Sequence, residues 1–165
     1  MLGSDRTTPS TGVEIRWHTA ARGELRHLFA LAEDSPEQLD GYLHLGRVLV
    51  AIDAGSIVAH LQVVESDIAK EVELRSLAVV EHRQRRGIGR ALVEHAVAEC
   101  RADGARTLLV ATATADIGNL RFYQLLGFRM LRVERDAFTA SGGYPSGLTI
   151  DGIPLRDRVW LTLPL

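Results

Sequence analysis

Leu77-Ala78-Val79-Val80-Glu81-His82-Arg83-Gln84-Arg85-Arg86-Gly87-Ile88-Gly89-Arg90 is the stretch whose reading decides the fold. An apolar strand, Glu71 to Val79, leads into it. An amphipathic helix leads out of it, from Gly87 to about Ala102, with Ile88, Leu92, Ala96 and Cys100 as its apolar stripe. Glycines in the turn let the backbone approach a ligand closely. The unpaired N–H groups at a helix start bind phosphate oxygens. Arg83, Arg85, Arg86 and Arg90 add positive charge for a phosphorylated ligand. A solvated basic turn that caps a helix is the plainer reading of the same residues. No Gly-Lys-Ser/Thr is present for a P-loop, and the spacing Gly87-x-Gly89-x-x-Leu92 breaks the dinucleotide-binding fingerprint.

Outward from this turn, strands and helices mix. On the N-terminal side, Val13, Ile15 and Trp17 alternate as in a strand, and Leu25, Leu28, Phe29 and Ala32 recur at helical spacing up to about Asp34. Ser35-Pro36-Glu37 reads as an N-cap with proline at the first helical position, opening a short helix that ends between Gly41 and Gly46. Arg47 to Asp53 and Ser56 to Val64 read as a hairpin around Ala54-Gly55. In the strand Glu71 to Val79 the apolar positions switch from even to odd between Leu74 and Leu77, which predicts a bulge near Arg75-Ser76. On the C-terminal side, Arg106 to Ala113 is an apolar strand, and Ile117 to Leu126 a helix closed by Gly127. Phe128 to Val133 and Arg158 to Leu163 read as strands, separated by a stretch that is rich in Gly and Pro from Ser141 to Pro154. Glu71 to Ala113 forms one strand–helix–strand unit.

The chain has 165 residues, 46% of them hydrophobic and 24% charged, so one domain with a core of its own is expected. That domain is placed at 13–165, behind a flexible N-terminus at 1–12. A net charge of -2 and an aromatic content of 5% disfavour a nucleic-acid binder. The single cysteine, Cys100, excludes an intrachain disulfide and a Cys-rich zinc module, and the six histidines show no metal-ligand spacing. No run reaches the ~18 apolar residues of a membrane span, and the first residues lack the apolar core of a signal peptide. A cytoplasmic protein with no membrane partner is the expectation.

Two blocks carry a resemblance. Leu77-Ala78-Val79 followed by Gln84-x-x-Gly87-x-Gly89 resembles the acetyl-CoA-binding motif of the GNAT acyltransferase superfamily. Downstream, Asn119-Leu-Arg-Phe-Tyr123-Gln-Leu-Leu-Gly127-Phe128 resembles that family's Asn-x-x-x-Tyr-x-x-x-Gly-Phe block. The pair, in this order and with a strand between, covers Glu71 to Met130. The resemblance implies an α/β fold with a mixed, mostly antiparallel sheet flanked by helices and splayed where acetyl-CoA enters. It also implies roles. The Leu77-Ala78-Val79 backbone would hold the pantetheine arm. Gln84 and the amides of Arg85, Arg86, Gly87, Ile88, Gly89 and Arg90 would form the pyrophosphate turn. Asn119 would hydrogen-bond the arm, and Tyr123 would protonate the leaving CoA thiolate. Glu73, eleven positions before Gln84, sits at the offset of the catalytic Glu in the family's histone-modifying branch. Val13 to Glu65 would be the variable acceptor-binding half.

Each candidate has a plainer alternative. Tyr123 beside Phe122 also reads as a packed helix-face aromatic. Glu73 also reads as a strand carboxylate paired with an Arg, with a water relay as the base instead. His60 reads as a structural histidine or as part of the acceptor site. The family usually has a short hairpin where about twenty-five residues here separate Val133 from Val159. Such a loop is functional or disordered, and Phe138, Tyr144, Leu148 and Ile150 mark it as a border of the acceptor pocket or of a homodimer interface. This tail resembles one in small bacterial members of unassigned substrate, some near aminoglycoside acetyltransferases. The expected function is acetyl transfer from acetyl-CoA to a primary amine of a small molecule, with no metal. Acetylation of a protein N-terminus or lysine, and a non-catalytic acyl-CoA sensor, are the alternatives.

Overall fold

The run Arg47–Asp53 forms a strand buried on both faces, and the whole architecture is organised about it. Side chains alternate across a strand. Leu49 and Ala51 therefore enter one hydrophobic core, and Val48 and Val50 enter another. The computed structural model describes residues 12–165; the expectation of a flexible N-terminus concerns 1–12, nearly all of which lies outside that range.

In chain order the strands are β1 (Glu14–Trp17), β2 (Arg47–Asp53), β3 (Ser56–Glu65), β4 (Glu71–Val79), β5 (Thr107–Ala113), β6 (Arg129–Glu134), β7 (Thr149–Ile150), β8 (Ile153–Pro154) and β9 (Arg158–Pro164). The helices are α1 (Arg26–Phe29), α2 (Pro36–Tyr42), α3 (Ile88–Ala102) and α4 (Ile117–Leu125). Seven strands make one sheet in the order β1-β2-β3-β4-β5-β9-β6, and β7 and β8 form a separate small hairpin. Every neighbouring pair in the large sheet is antiparallel except β4 and β5, which are parallel because α3 crosses between them. This is the expected mixed, mostly antiparallel sheet.

On one face, α3 seats Ile88, Leu92, Val93, Ala96 and Cys100 against Leu49, Leu61, Leu74 and Leu108. On the other, Leu25, Leu28 and Phe29 join Leu39, Tyr42 and Leu43 over Val48 and Val50. The helix expected over Leu25 to Asp34 is much shorter than its pattern. A 3-10 turn, Arg22–Leu25, runs into the single turn of α1, which ends at Phe29 and is followed only by turn hydrogen bonds to Ala32. Leu31 there is 59% exposed, so nothing apolar draws the helix onward. Ser35 caps α2 as its sequence predicts, its Oγ accepting the Gln38 N–H at 3.3 Å.

The bulge lies where the apolar switch puts it. Gln62 pairs with Ser76 and Val63 with Leu74, leaving Arg75 as the extra residue. A bulge bends and overtwists its strand. The parallel pairing of β4 with β5 runs from Glu71 opposite Thr107 to Leu74 opposite Val110 and ends there, one residue before the bulge. Beyond that point the two strands part.

Candidate active site

The parting strands open a cleft of about 950 Å3, flanked at one end by the Arg83–Arg90 turn and α4, and at the other by the α1–α2 connection and the segment before β9. Its inner wall is the far half of β4. Val80 N–H donates to the Val58 carbonyl at 2.9 Å. Alternation along an antiparallel ladder then aims the peptide groups of Ala78 at β3 and those of Leu77 and Val79 at the opposite edge. On that edge Gln84 Nε2 donates to the Val79 carbonyl at 3.0 Å, tying the turn to the strand. β5 is no longer alongside, so the Leu77 peptide groups and the Val79 N–H face the cleft.

The turn itself requires unusual backbone. Arg85 has φ +60° and Gly87 has φ +80°, both left-handed. Gly87 is the N-cap of α3 and supplies no side-chain cap, so the first amides of α3 point outward unclaimed. These groups fit a pyrophosphate, and the Leu77–Val79 edge fits an amide-bearing arm. The four arginines divide into two kinds. Arg83 is ion-paired with Asp53, and Arg90 Nε with Glu94 at 2.8 Å; Arg85 and Arg86 are exposed and, among the described residues, have no ion pair within 4 Å. A charge count along the chain cannot see Asp53, thirty positions away. Arg121 on α4 also lines this end, with no motif to announce it.

Asp116 caps α4 by accepting the Asn119 N–H at 2.8 Å, and Asn119 Nδ2 reaches Thr112 Oγ1 at 3.4 Å. This holds Asn119 at the cleft wall. Four residues on, Tyr123 is buried edge-on between Phe122 and Phe128, with centroids 5.1 and 5.5 Å away. It packs as its plainer reading holds and also lines the cleft. Burial first, and then the Asp116 carboxylate, push its phenol well above its ordinary value. The hydroxyl therefore keeps its proton, the state a general acid needs.

Glu73 and Arg75 both line the cleft and pair at 3.2 Å, with side chains 20% and 31% exposed. The alternative of an Arg-paired strand carboxylate is thus realised inside the cleft rather than away from it. Arg75 also lies 4.8 Å over the Tyr42 ring. His60 is not in the cleft wall. It is fully buried, stacks on Phe29 at 4.1 Å and meets Ser76 Oγ through Nε2 at 2.8 Å. Burial, with smaller contributions from His27 and Arg22, lowers its pKa to about 3, so it is neutral.

The far end is built from residues no motif marks. Glu33, Tyr42, Phe138, Tyr144, Ile150 and Leu155 line it. Tyr144 and Ile150 belong to the long segment before β9, whose length and aromatic content are its only sequence signal. That segment is hooked onto α2: Gln38 Nε2 and Ser35 Oγ both donate to the Gly142 carbonyl, at 3.2 and 3.5 Å. Among the described residues no group of three or more His, Cys, Asp and Glu gathers to hold a metal, and no helix is long and apolar enough to cross a membrane.

Known proteins share this arrangement. An N-acetyltransferase of Bacillus subtilis, YvbK, itself described as uncharacterized, is 34% identical over 86% of this chain and 90% of its own. The ribosomal protein bS18-alanine N-acetyltransferase of Salmonella typhimurium is 27% identical over 84% of this chain and 89% of its own. The structure of a GNAT family acetyltransferase from Elizabethkingia anophelis with acetyl-CoA bound superposes with a TM-score of 0.85 at 28% identity, covering 93% of this chain and 99% of that one. The acetyltransferase (GNAT) family model matches residues 14–128, which include both motifs and the parting of β4 from β5, and the chain belongs to that family of acetyl-CoA-dependent N-acetyltransferases.

Proposed function

We propose that this enzyme moves the acetyl group of acetyl-CoA to the primary amine of a small molecule. The observation that carries the reading is the continuity of the cleft, from the pyrophosphate turn past Tyr123 and Glu73 to a far end walled by aromatic and acidic side chains. The Leu77 and Val79 peptide groups and Asn119 orient the arm. The amides from Arg85 to Arg90, opened by Gly87 and Gly89 and braced by Gln84, hold the pyrophosphate. Bound acetyl-CoA supplies an acetyl group activated as a thioester. Glu73, directly or through one water, takes a proton from the acceptor ammonium, and the freed amine nitrogen bonds to the acetyl carbon as the carbon–sulfur bond breaks. Tyr123 gives its proton to the departing sulfur, and the surplus proton of the acetylated nitrogen, passed on through water, restores it. Arg75 pairs with Glu73 and fixes its carboxylate in the cleft.

The hook from Ser35 and Gln38 to Gly142 ties the segment before β9 to α2 and walls the far end, which supports a small acceptor. A second reading, acetylation of a protein N-terminus, draws support from the bS18-alanine relative. The retained Tyr123 and Glu73 favour an enzyme over a non-catalytic acyl-CoA sensor. A cytoplasmic enzyme without nucleic-acid or membrane partners completes the reading, with a homodimer left to a sedimentation measurement. Acetyl-CoA turnover, read as free thiol, across polyamines, aminoglycosides, amino acids and N-terminal peptides tests it. Turnover with small amines and not with peptides is expected; turnover confined to peptides replaces it with the second reading.

A further inference from the structure

Glu33 lies in the cleft wall between α1 and α2, half-buried, at the end away from the pyrophosphate turn. Its Oε1 accepts the Ser35 N–H at 3.0 Å, and its Oε2 accepts the Tyr42 hydroxyl at 3.4 Å. Tyr144 lines the same end of the cleft, and after burial the charge of Glu33 helps raise its phenol to about 12. Both donors to Glu33 are neutral. Among the described residues no Arg, Lys or His nitrogen comes within 4 Å of Glu33, whereas Glu73 in the same cleft has Arg75. Glu33 is therefore a carboxylate held in place by hydrogen bonds from neutral groups, with no direct ion pair among the described residues. The walls beside it are Tyr42, Tyr144, Phe138 and Leu31, which offer apolar and aromatic area; Arg75 already lies over the Tyr42 ring at 4.8 Å and Arg158 over the Phe138 ring at 5.1 Å.

We propose that Glu33, set between Tyr42 and Tyr144, is the group that selects the acceptor, and that the acceptor is a cationic amine carried on an apolar or aromatic arm. The inference rests on the proposed transfer to a small amine and names the class of that amine. Glu33 binds and orients the ammonium; the proton still leaves to Glu73. A purely local role, in which Glu33 serves only to hold the Ser35 N–H ahead of α2, is the competing explanation.

The test uses the full chain and two probes of one shape, 2-phenylethylamine and its neutral isostere 2-phenylethanol. With the native enzyme, the amine is expected to be acetylated, and the alcohol to compete far more weakly than the amine binds. Glu33→Gln should raise the KM for the amine about 10- to 100-fold, the worth of one charge-assisted hydrogen bond. The KM for acetyl-CoA should not change, and the preference for amine over alcohol should shrink by the same factor. Glu33→Asp, which keeps the charge, should restore most of that preference; it also serves if the Gln variant does not fold. An unchanged amine KM, or an equal rise for amine and alcohol, overturns the proposal and leaves Glu33 a local brace. If no amine is turned over by the native enzyme, the transfer reading fails. Calorimetry of 2-phenylethylamine on the CoA-saturated protein then decides the binding site alone: binding lost in Glu33→Gln upholds it, and no binding to the native protein overturns it.

Discussion

In the proposed reaction Tyr123 and Glu73 have opposite tasks, and their surroundings separate them. Tyr123 is sealed among Phe122 and Phe128 and keeps its proton. Glu73 shares the cleft with a guanidinium. Because a thiol of pKa near 8.5 leaves readily unaided, Tyr123→Phe is expected to lower kcat by about 10²-fold, the low end of acid–base assistance, with acetyl-CoA affinity unchanged by calorimetry. Glu73→Gln should lose most rate near neutral pH and recover part of it as the pH rises, because a free amine needs no base. A pH–rate profile of both variants on one confirmed acceptor checks this; a native rate for Glu73→Gln at pH 7 would assign the base to water. His60 gives a stability prediction. Its pKa drops from 6.5 to about 3 on folding. Below pH 6.5 the unfolded chain therefore takes up a proton that the folded chain refuses. The contribution is whole above pH 6.5 and is lost as pH falls toward 3, at up to ~1.4 kcal/mol per pH unit. Urea unfolding between pH 4 and 7 should show a shallower slope in His60→Gln than in the native protein.

At the scale of elements, the bulge at Arg75 and the turn at Gly87 together make the cofactor cleft. The bulge ends the β4–β5 pairing after Leu74, and the turn presents the first amides of α3. Gly87→Asp should abolish acetyl-CoA binding in calorimetry while leaving the circular dichroism of the native fold. Asp is among the few residues that tolerate a left-handed φ, but its carboxylate would stand where phosphate must lie. Unchanged affinity in a folded variant would remove the pyrophosphate assignment. Both features were legible along the chain. The switch from Leu74 to Leu77 betrays the bulge because pleat alternation has a fixed period, and Gly87 betrays the turn because few other residues accept φ +80°. The helix of Leu25 to Asp34 was legible only in its first half. Its periodicity continues past Phe29, but Leu31 stays exposed and nothing apolar holds a longer helix, and the chain brings Glu33 into the cleft wall instead.

The whole molecule is one sheet with a core on each face, joined through β2. A single domain over 13–165 should therefore unfold as one unit. Trp17 on β1, at one edge of the sheet, and Trp160 on β9, beside the other edge, report on opposite sides of it. Trp17→Phe and Trp160→Phe each leave one reporter, and their urea transitions by fluorescence should coincide with circular dichroism once each is scaled to its own midpoint. A second transition seen by one tryptophan alone would divide the domain. The sequence by itself determined the α/β class, the order of most elements, the glycine turn that opens α3 and the block that carries Asn119 and Tyr123. Those depend on periodicity, glycine geometry and spacing within a few residues, all of which are local. The tertiary structure alone decided which arginines remain unpaired, that His60 lies in the core and not in the cleft, and that Glu33, Tyr42 and Tyr144 meet. Glu33 and Tyr42 are nine positions apart, but Tyr144 is 111 from Glu33 and Asp53 is 30 from Arg83, and only the folding of α1, α2 and the segment before β9 around one cleft brings Glu33 and Tyr144 together.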